Sequence, residues 1–126
     1  MPKEHLRLGK SGEEAAAVFL KNNGYKIICK NYKNKLGEID IIARDKDTIC
    51  FIEVKTRASD RFGLPQEAIS RHKQHQISKA AVSFLKENNL LEQKARFDVI
   101  SVMYAHDPPK LDLIKDAFEL EARYVI

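Results

Sequence analysis

Apolar positions along the chain fall first at helical spacing, then in alternation, then at helical spacing again. Ala15 to Leu20 follow Ser11-Gly12-Glu13-Glu14, and the Ser11-x-x-Glu14 spacing predicts a capping box opening an amphipathic helix that Gly24 ends. A start nearer Leu6 or Leu8 would put Gly9 and Gly12 inside the helix at about 1 kcal/mol each, tolerable where the backbone must approach a neighbour closely. Three β-type segments follow: Tyr25 to Lys30, Glu38 to Arg44 and Thr48 to Thr56, rich in Ile, Val, Phe and Tyr. The short polar connection Arg44-Asp45-Lys46-Asp47 predicts a hairpin between the second and third. Past Pro65, helical spacing returns from Ser70 to Asn88, with Ile77, Ala81, Phe84 and Leu85 as its apolar stripe. A fourth strand, Ala95 to Tyr104, and a fifth, Lys110 to Lys115, flank Asp107-Pro108-Pro109.

The order α-β-β-β-α-β-β predicts an α/β fold, a mixed central sheet flanked by helices. If the fourth strand lies parallel to the third, the second helix supplies a right-handed crossover. A length of 126 residues suits one domain over residues 1–126. With 44% hydrophobic and 32% charged residues the chain has enough apolar matter for a core and lacks the signature of disorder. The longest apolar run, Ala15 to Leu20, is far short of the roughly 18 residues a membrane span needs, so no membrane association is expected. No apolar stretch follows the charged N-terminus as a secretory signal would require, which makes a cytoplasmic location the expectation. Cys29 and Cys50 form no Cys-x-x-Cys pair and read as reduced core residues.

Charge adds a partner class. Lys and Arg number 22 against 18 Asp and Glu, a formal net charge of +4, which suits a polyanion. Lys21, Lys26, Lys30, Lys33 and Lys35 occur with no acid between Lys21 and Lys35, and Arg71, Lys73 and Lys79 share a second acid-free stretch. Basic runs of this kind also serve simply as solvated faces.

Two neighbouring strands contain polar residues that a sheet core does not want. Period-two alternation puts Glu38, Asp40 and Ile42 on one face of the second strand, opposite Ile39, Ile41 and Ala43. It puts Phe51, Glu53 and Lys55 together on the third, opposite Cys50, Ile52 and Val54. Hairpin pairing then brings Asp40 close to Glu53, so one patch holds two carboxylates and an ammonium. Such carboxylates repel unless a proton or cation sits between them, and hard oxygens favour Mg²⁺ or Mn²⁺. A metal there, with a lysine beside it, suits phosphodiester hydrolysis. Taken alone, Glu-x-Lys on a strand is more often a solvated, salt-bridged face.

Gly37-Glu38-Ile39-Asp40-Ile41-Ile42-Ala43 followed by Phe51-Ile52-Glu53-Val54-Lys55-Thr56-Arg57 resembles the core of the PD-(D/E)XK, restriction endonuclease-like nuclease superfamily, with Ile39 where a Pro often precedes the Asp. Within it the chain resembles the YraN-type family, itself similar to archaeal Holliday junction resolvases. Gly12-Glu13, Asn31-Tyr32, Phe62 to Ala68 and Arg96-Phe97-Asp98-Val99-Ile100 share in the likeness. The resemblance implies that Asp40 and Glu53 bind Mg²⁺ (or Mn²⁺), that Lys55 is the motif lysine, and that Glu13 on the first helix completes the metal site. Glu14 competes with Glu13 for that role but is explained as a capping-box residue, and Glu38 is a candidate outer ligand. Lys33, Lys35, Arg57, Arg61, Lys73 and Gln76 are candidate nucleic-acid contacts, with Gln66 and Gln74 behind them. His72 and His75 lack a third ligand at helical spacing, and Phe51 reads as core packing rather than a base-stacking ring. The expected activity is that of a DNA-binding, metal-dependent endonuclease acting on branched or recombination DNA. The alternative is a catalytically inactive nucleic-acid-binding or RNA-associated accessory module. Likeness to junction resolvases further implies a homodimer.

Overall fold

Five strands lie side by side in the order in which the chain makes them. The computed structural model describes residues 3–57, 69–104 and 108–119, with side chains from Ser11 onward. Its elements are α1 (Lys3–Asn22), β1 (Lys26–Asn34), β2 (Gly37–Asp45), β3 (Thr48–Arg57), α2 (Arg71–Glu87), β4 (Lys94–Met103) and β5 (Lys110–Phe118). The sheet order is β1-β2-β3-β4-β5. β3 and β4 run parallel across the α2 connection, and every other neighbouring pair is antiparallel. This is the mixed α/β sheet that the element order predicts. No helix among the described residues is long and apolar enough to cross a membrane.

Among the described residues, each face of the sheet carries one helix. Ala16, Ala17 and Leu20 of α1 pack with Ile41, Ala43, Cys50, Ile52, Ile100 and Val102. The expected stripe of α2 (Ile77, Ala81, Phe84 and Leu85) packs on the other face with Ile39, Ile42, Ile49, Phe51 and Phe97. Phe51 sits at the centre of that second layer, with ring centroids 6.0 Å from Phe84 and 5.6 Å from Phe97. It is a core residue. Cys50 is buried, Cys29 half-buried, and both thiols are free. Burial, with the Asp98 charge second, pushes the Cys50 thiol up to about 12, so it stays protonated and inert.

α1 corrects the sequence-based start. The helix is already formed at Lys3, so Ser11 lies inside it and Ser11-x-x-Glu14 is not a capping box. Ser11 Oγ instead accepts the Tyr104 hydroxyl at 2.9 Å, and Glu14 is exposed. Gly12 explains why the helix runs through: a Cβ there would collide with the Thr56 hydroxyl of β3. The absent side chain lets α1 lie closer to the sheet than another residue would allow. That approach seats Glu13 over β2. The other helix starts as expected, with Ser70 at its N-cap accepting the Lys73 N–H at 3.1 Å.

A second correction concerns β2. Ile39 packs with the α2 layer while Ile41, two residues on, packs with the α1 layer, so strict alternation fails at Asp40. The β2–β3 ladder ends at Ile41 opposite Ile52. Beyond that point the Asp40 carboxylate replaces the missing ladder bond by accepting the Val54 backbone N–H at 2.8 Å. β1 extends past Lys30 to Asn34, whose Oδ1 accepts the N–H groups of Leu36 and Gly37 at 2.8 and 3.2 Å and closes the hairpin. β5 likewise runs to Phe118, which stacks on Phe97 with 4.7 Å between centroids.

Candidate active site

Alternation holds along β3 and does the positioning there. Cys50, Ile52 and Val54 turn to α1 and Phe51 to α2, which carries Glu53 to the α2 side. Glu53 is 7% exposed, and its Oε1 lies 3.8 Å from Nζ of Lys73 on α2. Asp40, one step beyond the Ile41–Ile52 pair on the neighbouring strand, acts on it as well. Burial first, and the Asp40 charge second, push Glu53 up to about 7 despite the opposing pull of Lys73 and Lys55. Asp40 is raised as well, chiefly by burial, with the Val54 N–H, Lys73 and Lys55 opposing and Glu38 adding repulsion.

Glu13 approaches Asp40 from the α1 side. Its carboxyl is raised by burial, then by the charges of Asp40 and Glu38, with Asn31 and Lys30 opposing. Asn31 adopts the left-handed conformation (φ 55°) inside β1, which Asn tolerates better than most residues. Acidic groups from α1, β2 and β3 thus converge on Asp40 with lysines around them. Among the described residues, however, no three His, Cys, Asp or Glu side chains are placed to hold a metal ion together. The candidate donor pair is Asp40 and Glu53, and Glu13 stands near it.

The remaining predicted positions divide. Lys55 is close enough to act on the charges of both Asp40 and Glu53. Lys33 and Lys35 are exposed, Lys33 in register opposite the exposed Glu38. Gln76 is half-buried, and its backbone carbonyl packs on Gly37, where a Cβ would come within 2.9 Å of it. Arg57 is half-buried, its carbonyl accepting the Tyr104 N–H at 2.8 Å. Arg61 and Gln66 lie outside the described residues. His72 is exposed and His75 half-buried. Lys73, expected to contact nucleic acid, is placed at the carboxylate pair itself. Sequence could not join it to Glu53, because the α2 connection separates them and only packing sets the distance. Asn31 was missed as a partner of Glu13; an Asn at a strand irregularity was its one local signal.

A separate polar cluster lies elsewhere on the sheet. Asp98 is 0% exposed, with both carboxylate oxygens 3.0 Å from Nε of Arg96 and one accepting the Asp116 N–H at 2.9 Å. Arg96 reaches on to the Tyr25 hydroxyl at 2.8 Å and to Asp45 at 2.9 Å. The Arg96 bond and charge hold Asp45 below the usual carboxylate range. Every charged group in this cluster is paired, and its role is structural.

Residues 12–102 match the model of "Uncharacterised protein family UPF0102". The UPF0102 protein of Syntrophus aciditrophicus is 50% identical over 117 residues, covering 93% of this chain and 92% of its own. That of Geotalea uraniireducens is 48% identical, covering 93% of both chains. A solved structure, that of SSO0001, is 21% identical with a TM-score of 0.43 and covers 94% of this chain and 55% of its own. The family match spans the helix carrying Glu13, the strands of Asp40, Glu53 and Lys55, and α2 with Lys73. The chain belongs to the UPF0102 family.

Proposed function

We propose that this protein is a Mg²⁺- or Mn²⁺-dependent phosphodiesterase acting on DNA, with branched or recombination intermediates as its substrates. The observation that supports this reading is that adjacent strands place Asp40 and Glu53 together, with Lys73 3.8 Å from Glu53 and the charges of Lys55 and Lys73 acting on both carboxyls. Two neighbouring carboxyls, both raised chiefly by burial, are an unfavourable arrangement for stability alone. A divalent cation relieves it, and an all-oxygen donor pair fits Mg²⁺, which binds through one or two carboxylates and fills its remaining positions with water and phosphate oxygens. Bound there, the cation supplies Lewis acidity and neutralises charge on the phosphoryl group.

The chain's own contribution is placement and charge. The Val54 N–H fixes the Asp40 carboxylate, so that group is oriented before any ligand arrives. Lys55 supplies a positive charge that acts on both carboxylates and would act on a phosphate bound to them. Exposed lysines of β1, Lys26, Lys30 and Lys33, provide a basic margin for the phosphate backbone.

A nucleic-acid-binding module without catalysis is the second reading, favoured by the lack of a three-ligand set among the described residues. Incubation with branched, duplex and single-stranded DNA and RNA in Mg²⁺ or Mn²⁺, beside Asp40→Asn, separates the two. Metal-dependent cleavage of DNA that Asp40→Asn abolishes is the expected result. Binding without cleavage of any substrate would overturn the enzymatic reading.

A further inference from the structure

From α2, Lys73 brings an ammonium to the carboxylate pair. Its ammonium is 3.8 Å from Glu53, too long for a hydrogen bond but close enough for strong charge attraction, and it acts on Asp40 as well. The two partners differ in exposure: the lysine side chain is 36% exposed and that of Glu53 only 8%. Glu53 is therefore fixed in the sheet, while Lys73 reaches in from a helix flank with room to withdraw. Its backbone is set independently by the Ser70 cap, so movement of the side chain need not disturb α2.

We propose that Lys73 is a positioning residue that exchanges partners. Without metal its ammonium holds Glu53 and partly neutralises the carboxylate pair. When a divalent cation takes the pair, like charge drives the ammonium off Glu53, and the entering phosphodiester gives it a new partner. Lys73 then couples metal binding to nucleic-acid binding, contributing to substrate affinity only when the metal is present. This rests on the phosphodiesterase reading of the site and adds a residue that the Asp and Glu-x-Lys strand pattern does not contain.

The full-length protein and Lys73→Met are compared by Mn²⁺ titration without nucleic acid, and by binding of an oligonucleotide with and without Ca²⁺. Removing a positive charge a few ångströms from the site should tighten Mn²⁺ binding by about tenfold when the titration is run well above neutral pH, where Glu53 stays ionised even without Lys73 and no proton competes with the metal. The same variant should bind the oligonucleotide as well as wild type without metal, yet lose most of the increase that Ca²⁺ confers. Lys73→Arg should restore that increase. An unchanged Ca²⁺ increment in Lys73→Met, or weaker rather than tighter Mn²⁺ binding, overturns the exchange and leaves Lys73 a fixed partner of Glu53. If wild type binds no Mn²⁺ at all, the metal-site reading itself falls.

Discussion

The Asp40 carboxylate accepts the Val54 backbone N–H at 2.8 Å, a side chain closing the bond that β2 stops making one residue earlier. That bond gives Asp40 two separable roles, as an acceptor within the sheet and as a charge beside Glu53. Asn retains the acceptor and removes the charge, whereas Ala removes both. Asp40→Asn should therefore fold with wild-type or higher stability, because repulsion within the pair is relieved, while losing metal-dependent cleavage. Asp40→Ala should in addition lose about 1–3 kcal/mol through the unpaired N–H. Urea unfolding and a cleavage assay on both variants check this. Equal stability of the two, or cleavage by Asp40→Asn, would refute the assignment.

Glu53 makes the metal-free protein sensitive to pH. Its carboxyl is lifted from an ordinary value of 4.5 to about 7, so between those values the folded chain holds a proton that the unfolded chain has released. Stability from this group is present below pH 4.5, falls as pH rises toward 7, and is fully lost above it. Each pKa unit is worth about 1.4 kcal/mol, so the loss amounts to a few kcal/mol. Thermal unfolding from pH 4.5 to 8 in EDTA should show this decline, and Glu53→Gln should flatten it. Mg²⁺ should restore stability at the upper end. A wild-type profile that coincides with that of Glu53→Gln would exclude the raised carboxyl.

The fold was legible because each element carries its own period. The stripe Ile77, Ala81, Phe84, Leu85 and the alternation of Cys50, Ile52, Val54 against Phe51 and Glu53 are local patterns, and both survive folding. The failures arose where a tertiary contact overrides the local rule. Ser11-x-x-Glu14 has the spacing of a cap, but Gly12 lets α1 continue along β3. Ile39 departs from the face of Ile41 because Asp40 leaves the ladder to bind Val54. The carboxylate pair could be read from two adjacent strands joined by a short turn. Lys73, which arrives from another layer of the fold, could not.

The Arg96–Asp98 pair makes a prediction about stability alone. Asp98 is fully buried and both of its oxygens are occupied, so truncation of Arg96 would strand a carboxylate in the core. Arg96→Ala should cost roughly 3–5 kcal/mol, as is usual when one member of a buried pair is removed. Asp98→Asn should cost less, since it keeps an acceptor for the Asp116 N–H. Denaturant titration checks the order of the two. Mn²⁺ affinity measured on whatever fraction stays folded should match wild type, because neither residue bears on Asp40 or Glu53. Arg96→Ala as stable as wild type would show that the pair adds nothing.

Lys55 separates chemistry from binding. It lies two residues after Glu53 on β3 and acts on both carboxylates, so it could serve either the transition state or the pair itself. If its ammonium stabilises charge developing on the phosphoryl group, Lys55→Met removes an interaction made only during reaction. The rate should then fall by about 10²- to 10³-fold while metal and substrate affinities change little. If Lys55 only balances the carboxylates, its loss raises Glu53 further and lets a proton compete with the metal at neutral pH. In that case saturating Mg²⁺, or a higher pH, recovers the full rate. Single-turnover cleavage across a Mg²⁺ series distinguishes the two. We expect a rate that stays low at every metal concentration, and recovery to the wild-type rate at saturation would assign Lys55 to charge balance instead.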